Sequence, residues 1–302
     1  MRIVFNVLKV GLGNNGGSKT LIRCAETLKE LGTDVLIASQ SNKYTWGKIK
    51  VPIVSALPKT DVIVATGFGS VKSTVQSSSP KKFYYIRGFE TWQASEKQLL
   101  SSFRSLKCIV NSEWLVQYFR EKKLHCDLVY PGLDFDLYPQ KVPIIGRDNV
   151  IGGLFHEKHQ TKRHVDVIEI ASRLECKCIL LNRDIKNPIP EHLADFYNSV
   201  KVWVAPSELE GLHNCPMEAS LCGCGVVATD HARGGTRDYT ISDENCLKYK
   251  SRDLEQATEQ TRRLLEDDEL RGDLQHKMSE LLHNKIGDRK KNMTKMMEIF
   301  NS

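Results

Sequence analysis

Two glutamates eight positions apart, Glu210 and Glu218, frame a polar loop and the start of what reads as a helix, within residues 202–229, VWVAPSELEGLHNCPMEASLCGCGVVAT. A helix start collects backbone N–H groups and the positive end of the dipole, so the amides of residues 213–217 suit an anion such as a diphosphate. A carboxylate would repel that anion. Glu210 and Glu218 are therefore better used to accept hydrogen bonds from hydroxyls, one set on a sugar and one on a ribose. Upstream, the run 156–163, HEKHQTKR, is a basic loop that contains Lys158 and Lys162. Taken singly, each of these residues also fits a solvated loop or a helix-start charge. The assembled string is far more specific.

The elements that must position these groups follow from pattern. Residues 202–205 form an apolar, β-branched run, closed by Pro206 and Ser207. Gly211 lies in the loop, Asn214 suits an N-cap and Pro216 a first helical turn. The helix runs to about Cys222, and Gly223 and Gly225 precede a strand at 226–228. Strand, loop, helix, strand is the unit of a parallel α/β sheet, in which ligands bind beyond the carboxyl ends of the strands.

The same alternation runs through the chain. A strand at residues 2–8 leads to the Gly-rich stretch 11–17, then a helix at about 18–31 and a strand at 34–38. Further strands end at Ala65, at Ile86 before Arg87, at Val110 and at Val129. Residues 139–147, with two prolines and a glycine, read as a linker. A second domain opens at 149–154, and amphipathic helices rich in Glu and Lys fill the chain from Arg252 onward. Arg87 can bind an anion but cannot act as a base, and it could equally pair with Glu90.

Composition bounds the reading. With 302 residues, 26% charged and 40% hydrophobic, the chain suits two ordinary globular domains. It contains no apolar run of the roughly 18 residues that a membrane span needs, and residues 1–10 read as a first strand rather than a leader. Nine scattered cysteines, with two C-x-C pairs and no C-x2-C, suggest small core residues in a reducing, cytoplasmic setting and no metal site. A net charge of +6 suits an anionic co-substrate or an acidic membrane surface, and is too diffuse to argue for nucleic acid. Peripheral membrane contact stays open, through Lys81, Lys82 and Arg87 beside Phe83, Tyr84 and Tyr85.

Pro206, Ser207, Glu210, Gly211, Leu212, Glu218 and Ala219 match, in register, the pattern P-S-x-x-E-G-[FL]-x-x-x-x-x-E-A. This resembles the E-x7-E signature of retaining GT-B glycosyltransferases of the family-4, or group 1, type. Pro131, Gly132, Leu133 and Asp134 resemble the family's P-x-G-[VI]-D, and Gly234, Gly235 and Asp238 its G-G-x-x-E with Asp for Glu. Three departures are clear: Gly225 replaces a proline, Arg87 occupies the place of a histidine, and Gly153-Leu154 occurs where an arginine is expected.

The resemblance implies an α/β GT-B fold: two facing Rossmann-like domains with parallel sheets and a cleft between them. Residues 1–146 would form the acceptor-side domain, with a helix at about 286–302 packing back on it, and residues 147–285 the donor domain. It implies a metal-independent, retaining transfer of a sugar from a nucleotide-diphosphate sugar to a hydroxyl of a glycan, lipid or small molecule, with no cofactor. Glu210, Lys162 and Arg87 would be catalytic. Gly16, Gly17, Lys158, Leu212, His213, Asn214, Cys215 and Glu218 would bind the donor. No carboxylate of the N-terminal half shows itself by pattern as a nucleophile, which favours front-face departure assisted by the leaving phosphate over double displacement. A nucleotide-sugar epimerase, a phosphorylase and a non-catalytic sugar-nucleotide module remain as alternatives.

Overall fold

The computed structural model describes residues 1–157, 160–182 and 190–302. The chain forms two units, Met1–Leu133 with Gly287–Ser302, and Asp134–Ile286.

In the first unit, apolar β-branched runs form strands β1 (Arg2–Asn6), β2 (Asp34–Ala38), β3 (Ile53–Val54), β4 (Val62–Ala65), β5 (Lys81–Ile86), β6 (Lys107–Val110) and β7 (Asp127–Leu128). They make one parallel sheet in the order β3-β2-β1-β4-β5-β6-β7. Helices α1 (Gly16–Glu30), α2 (Phe68–Gln76), α3 (Glu96–Arg104) and α4 (Glu113–Glu121) connect them. Chain order reverses between β1 and β4, which makes their carboxyl ends the switch point of this sheet.

The second unit repeats the plan with β8 (Val150–Phe155), β9 (Lys177–Asn182), β10 (Val202–Ala205), β11 (Gly225–Thr229) and β12 (Leu247–Tyr249), parallel in the order β12-β11-β10-β8-β9. Helices α5 (His164–Arg173), α6 (Pro190–Asn198), α7 (Asn214–Leu221), α8 (Leu254–Glu266) and α9 (Asp268–Leu281) accompany it, and its switch point lies between β8 and β10. Helix α10 (Arg289–Asn301) belongs to the first unit. Its Met293, Met296 and Phe300 join Ile3, Phe5, Leu21 and Ala25 in one core. The second core is built on Ile151, Val202, Val204 and Val227, covered by Val167, Ile170, Ala257 and Leu264.

Three glycines are explained by close approach. Gly132 has φ +72°, and a Cβ there would lie 2.4 Å from Arg289 Cα, where the chain passes the start of α10. Gly152 and Gly153 lie in β8, and a Cβ on Gly153 would meet Val167 of α5 at 2.8 Å. Helix and strand touch there, so no arginine fits at position 153.

The expected boundary at residues 146/147 falls instead at Leu133/Asp134. The stretch read as a linker is bonded into the second unit. Asn198 Oδ1 accepts the N–H groups of Lys141 and Val142 at 2.6 and 3.1 Å, and Asn198 Nδ2 donates to Pro139 O. Arg147 donates to the carbonyls of Val142, Pro143, Val200 and Cys222. Asn198, Val200 and Cys222 lie far along the sequence from this stretch, where composition gives no sign of them.

Candidate functional site

Neighbouring strands at the second unit's switch point release the loops that carry the predicted groups. After β8, Lys162 ends a 3-10 turn, Gln160–Lys162. After β10, Glu210 sits in the loop before α7. Lys162 Nζ donates to Glu210 Oε1, and His213 Nε2 lies 3.6 Å from the same oxygen. The side chains of Lys162 and Glu210 are 16% and 14% exposed, so the pair is shielded yet reachable.

The backbone pins this loop at three points. Glu208 N–H donates to Thr161 O (2.8 Å), Glu210 N–H to Arg233 O (2.9 Å) and His213 N–H to Gly235 O (3.0 Å). Gly235 has φ +74°, and a Cβ there would fall 2.5 Å from Glu210 Cβ. The Gly234-Gly235 turn is thus the seat of the Glu210 loop. Tyr239, fully buried, donates its hydroxyl to His213 O at 2.7 Å.

Helix α7 starts at Asn214, with His213 in the capping position and no side-chain cap. Asn214 is therefore the first helical residue and not the cap that its type suggests. His213 N–H is already bonded, and Pro216 in the first turn has no N–H. Leu212 and Cys215 are buried, 7% and 3% exposed. Glu218 is also buried, and its Oε2 accepts the Tyr197 hydroxyl at 3.0 Å. Burial, reinforced by Cys215 and Glu218, holds the Tyr197 hydroxyl well above its ordinary titration range, so it stays a donor. Lys158 lies outside the described residues.

Several groups here carry no strong sequence signal. Glu208 receives a two-pronged bond from Arg252 (Nε to Oε1 2.7 Å, Nη2 to Oε2 3.0 Å) and one from Ser251 Oγ (2.9 Å). The Arg252 bond, with that of Ser251, holds the Glu208 carboxyl down at about 2. Ser207 Oγ and Thr236 Oγ1 are buried without a hydrogen-bond partner among the described residues, flanking the Glu210 loop. Ser207 was visible only as part of the P-S-x-x-E pattern.

The first unit's switch point is built differently. Asn15 Oδ1 accepts Ser18 N–H at 2.8 Å and starts α1 at Gly16. Gly16 and Gly17 thus form a first helical turn, not the loop expected. Arg87, just beyond β5, sends Nη2 to Thr66 O (2.8 Å) and Nη1 to Gly17 O, tying together the ends of β4 and the start of α1. It donates to these carbonyls rather than to Glu90, whose Oε2 accepts Phe68 N–H at 2.6 Å. Burial raises the Glu90 carboxyl above its ordinary range. Sequence pattern offered this half-buried carboxylate only as a salt-bridge partner for Arg87. Nearby, Asn111 Oδ1 and Ser112 Oγ are buried and unpartnered among the described residues.

Residues 157–267 match the family described as Glycosyl transferases group 1. Among curated proteins, the capsular polysaccharide biosynthesis glycosyltransferase CapM of Staphylococcus aureus is 24% identical over 258 residues, 84% of this chain. The chain spans 58% of that relative's length. Among solved structures, sucrose-phosphate synthase from Thermosynechococcus elongatus superposes with a TM-score of 0.80 at 14% identity, covering 100% of this chain and 98% of its own. Anabaena Alr3699/HepE in complex with UDP superposes at 0.78 and 15% identity, with complete coverage of both chains. The fold is GT-B, and the segment that matches the group 1 glycosyl transferases, residues 157–267, carries Lys162, Glu210 and Glu218.

Proposed function

We propose that the chain transfers a glycosyl group from a nucleotide-diphosphate sugar to an acceptor hydroxyl, with retention and without a metal. The observation that carries this reading is the Lys162–Glu210 pair. It is shielded, it lies at the switch point beside the start of α7, and it falls within the family-matched segment. A diphosphate arriving at Lys162 brings more negative charge than Glu210 does and draws the ammonium toward itself. Glu210 is then released to accept hydroxyls of the transferred sugar. Lys162 and the first-turn amides of α7 oppose charge that grows on the leaving diphosphate, the kind of interaction worth most in a water-poor site. Glu218, fixed by Tyr197, is the acceptor for a ribose hydroxyl. The structurally similar HepE is described in complex with UDP-glucose, so uridine diphosphate sugars are the first donors to try. The CapM similarity makes a polysaccharide precursor the first acceptor class.

The test has two steps. UDP-glucose and other UDP-sugars are screened by thermal shift, where a ligand at about 100 times its dissociation constant adds about 2.7 kcal/mol of stability. The stabilising donor is then assayed for transfer, product anomer and insensitivity to chelator. Near-full turnover by Glu210→Gln would remove the role given to that carboxylate. Binding without turnover across an acceptor panel would convert the reading to a non-catalytic module.

A further inference from the structure

The amino-terminal edge of the first sheet, opposite the end that carries Arg87 and Glu90, holds a cavity of about 710 Å³. Its cationic lining is Lys81 and Lys82 at the start of β5, Arg104 at the end of α3, Lys107 at the start of β6, and Lys123. His125 adds a sixth basic group, and no acidic residue lines it. Among the described residues, none of these five lysines and arginines forms an ion pair. Lys81 Nζ is oriented by Phe300 O and Asn301 O, 2.8 Å each, and Lys82 Nζ by Val75 O at 2.7 Å. An ammonium has three donors, so one remains on Lys81 and two on Lys82. Lys107 Nζ rests 5.9 Å from the Phe83 ring centre.

Helix C-termini at this edge account for the placement of Lys81 and Lys82, since carbonyl ends attract cations. Arg104, in the last turn of α3, and Lys123, just past α4, also stand at helix ends, whereas Lys107 opens β6; all three are exposed and converge from three different segments. The cavity is not only polar. Phe83, Phe103, Leu106 and Leu124 form its apolar lining, and Val75 at the rim is 40% exposed. The aromatic residues of β5 do not themselves reach a surface: Phe83, Tyr84 and Tyr85 are buried, and Arg87 lies at the other end of the strand.

We infer that this face docks on a bilayer that carries anionic phospholipid. Phosphodiester headgroups supply the missing counter-charge, and the headgroup–acyl boundary accommodates Val75, Leu106 and Leu124. A small free phosphate would meet the charge and leave that apolar rim in water. Docking through this edge leaves the carboxyl ends of the same strands clear of the membrane. The inference stands independently of the transfer reading.

The test is flotation of the full chain with vesicles of phosphatidylcholine alone or mixed with phosphatidylglycerol. The expected result is binding to the mixed vesicles only, weakened by added salt. Arg104→Ala with Lys123→Ala is expected to weaken partition about twenty-fivefold, at about fivefold per basic group. Lys290→Ala with Lys291→Ala, the same charge change at the start of α10, is expected to leave it unchanged. No binding to mixed vesicles, or equal loss in both double variants, would overturn the inference. Full displacement by soluble glycerol 3-phosphate would also overturn it, reassigning the cavity to a free phosphate ester.

Discussion

The two sheets place a cation beside each topological switch point, and they use it in opposite ways. In the first unit Arg87 donates to the carbonyls of Gly17 and Thr66. In the second Lys162 faces the Glu210 carboxylate. A main-chain carbonyl cannot leave its place, so the Arg87 guanidinium acts as a brace. A carboxylate on a loop can exchange its partner for a ligand, so Lys162 keeps its charge available for chemistry. Cations near the two switch points, one past β5 and one past β8, therefore make different bonds: a brace to main-chain carbonyls in one half, an ion pair to a loop carboxylate in the other.

The comparison can be broken most sharply at Lys162. Lys162→Ala is expected to lower kcat by about 10²–10³, the usual loss when one preorganised charge-stabilising group is removed. Gly235→Ala should come next. A left-handed φ with a methyl group 2.5 Å from Glu210 Cβ forces the loop to move. Strain of about 1–3 kcal/mol is expected, read as a lower Tm together with lower kcat/KM. Arg87→Ala should lose about 1.5–3 kcal/mol of stability through its charged hydrogen bonds. It should keep kcat when assayed below its lowered Tm, because the guanidinium is committed to the carbonyls of Gly17 and Thr66.

The smallest effect is expected from Arg252→Ala. The Glu208 carboxyl lies at about 2 when folded, below its ordinary 4.5. A depressed folded value adds stability above pH 4.5, and that stability drains away as pH falls toward about 2. Arg252→Ala should flatten this segment of an acid-unfolding curve by removing a small part of the stability above pH 4.5 and none well below pH 2. Arg252 is largely exposed, so screening keeps its contribution small.

Much of the fold and of the site's position is written in local sequence. Apolar runs ending in Pro206-Ser207 or Arg87-Gly88 mark strand ends, and those ends are where α/β sheets keep their sites. What local sequence does not reveal is set by distance. Glu208 finds Arg252 across 44 positions, Glu218 finds Tyr197 across 21, and Asn198 gathers residues 139–142 into the second unit. The helix start at Gly16 depended on Asn15 acting as a cap, a choice that two following glycines conceal. Gly153 looked like a lost arginine and is the point where β8 touches α5. Arg87 was readable as a cation but not as a brace, because its acceptors are main-chain atoms in α1 and just past β4.

The most direct test is turnover of UDP-glucose, or of whichever UDP-sugar stabilises the protein, by wild type, Lys162→Ala and Arg87→Ala side by side, with donor affinity measured for each. The expected result is a fall in kcat of about 10²–10³ for Lys162→Ala and near-wild-type kcat for a folded Arg87→Ala. Full turnover without Lys162, or its collapse without Arg87 at unchanged fold, would contradict the division of labour between the two sheets.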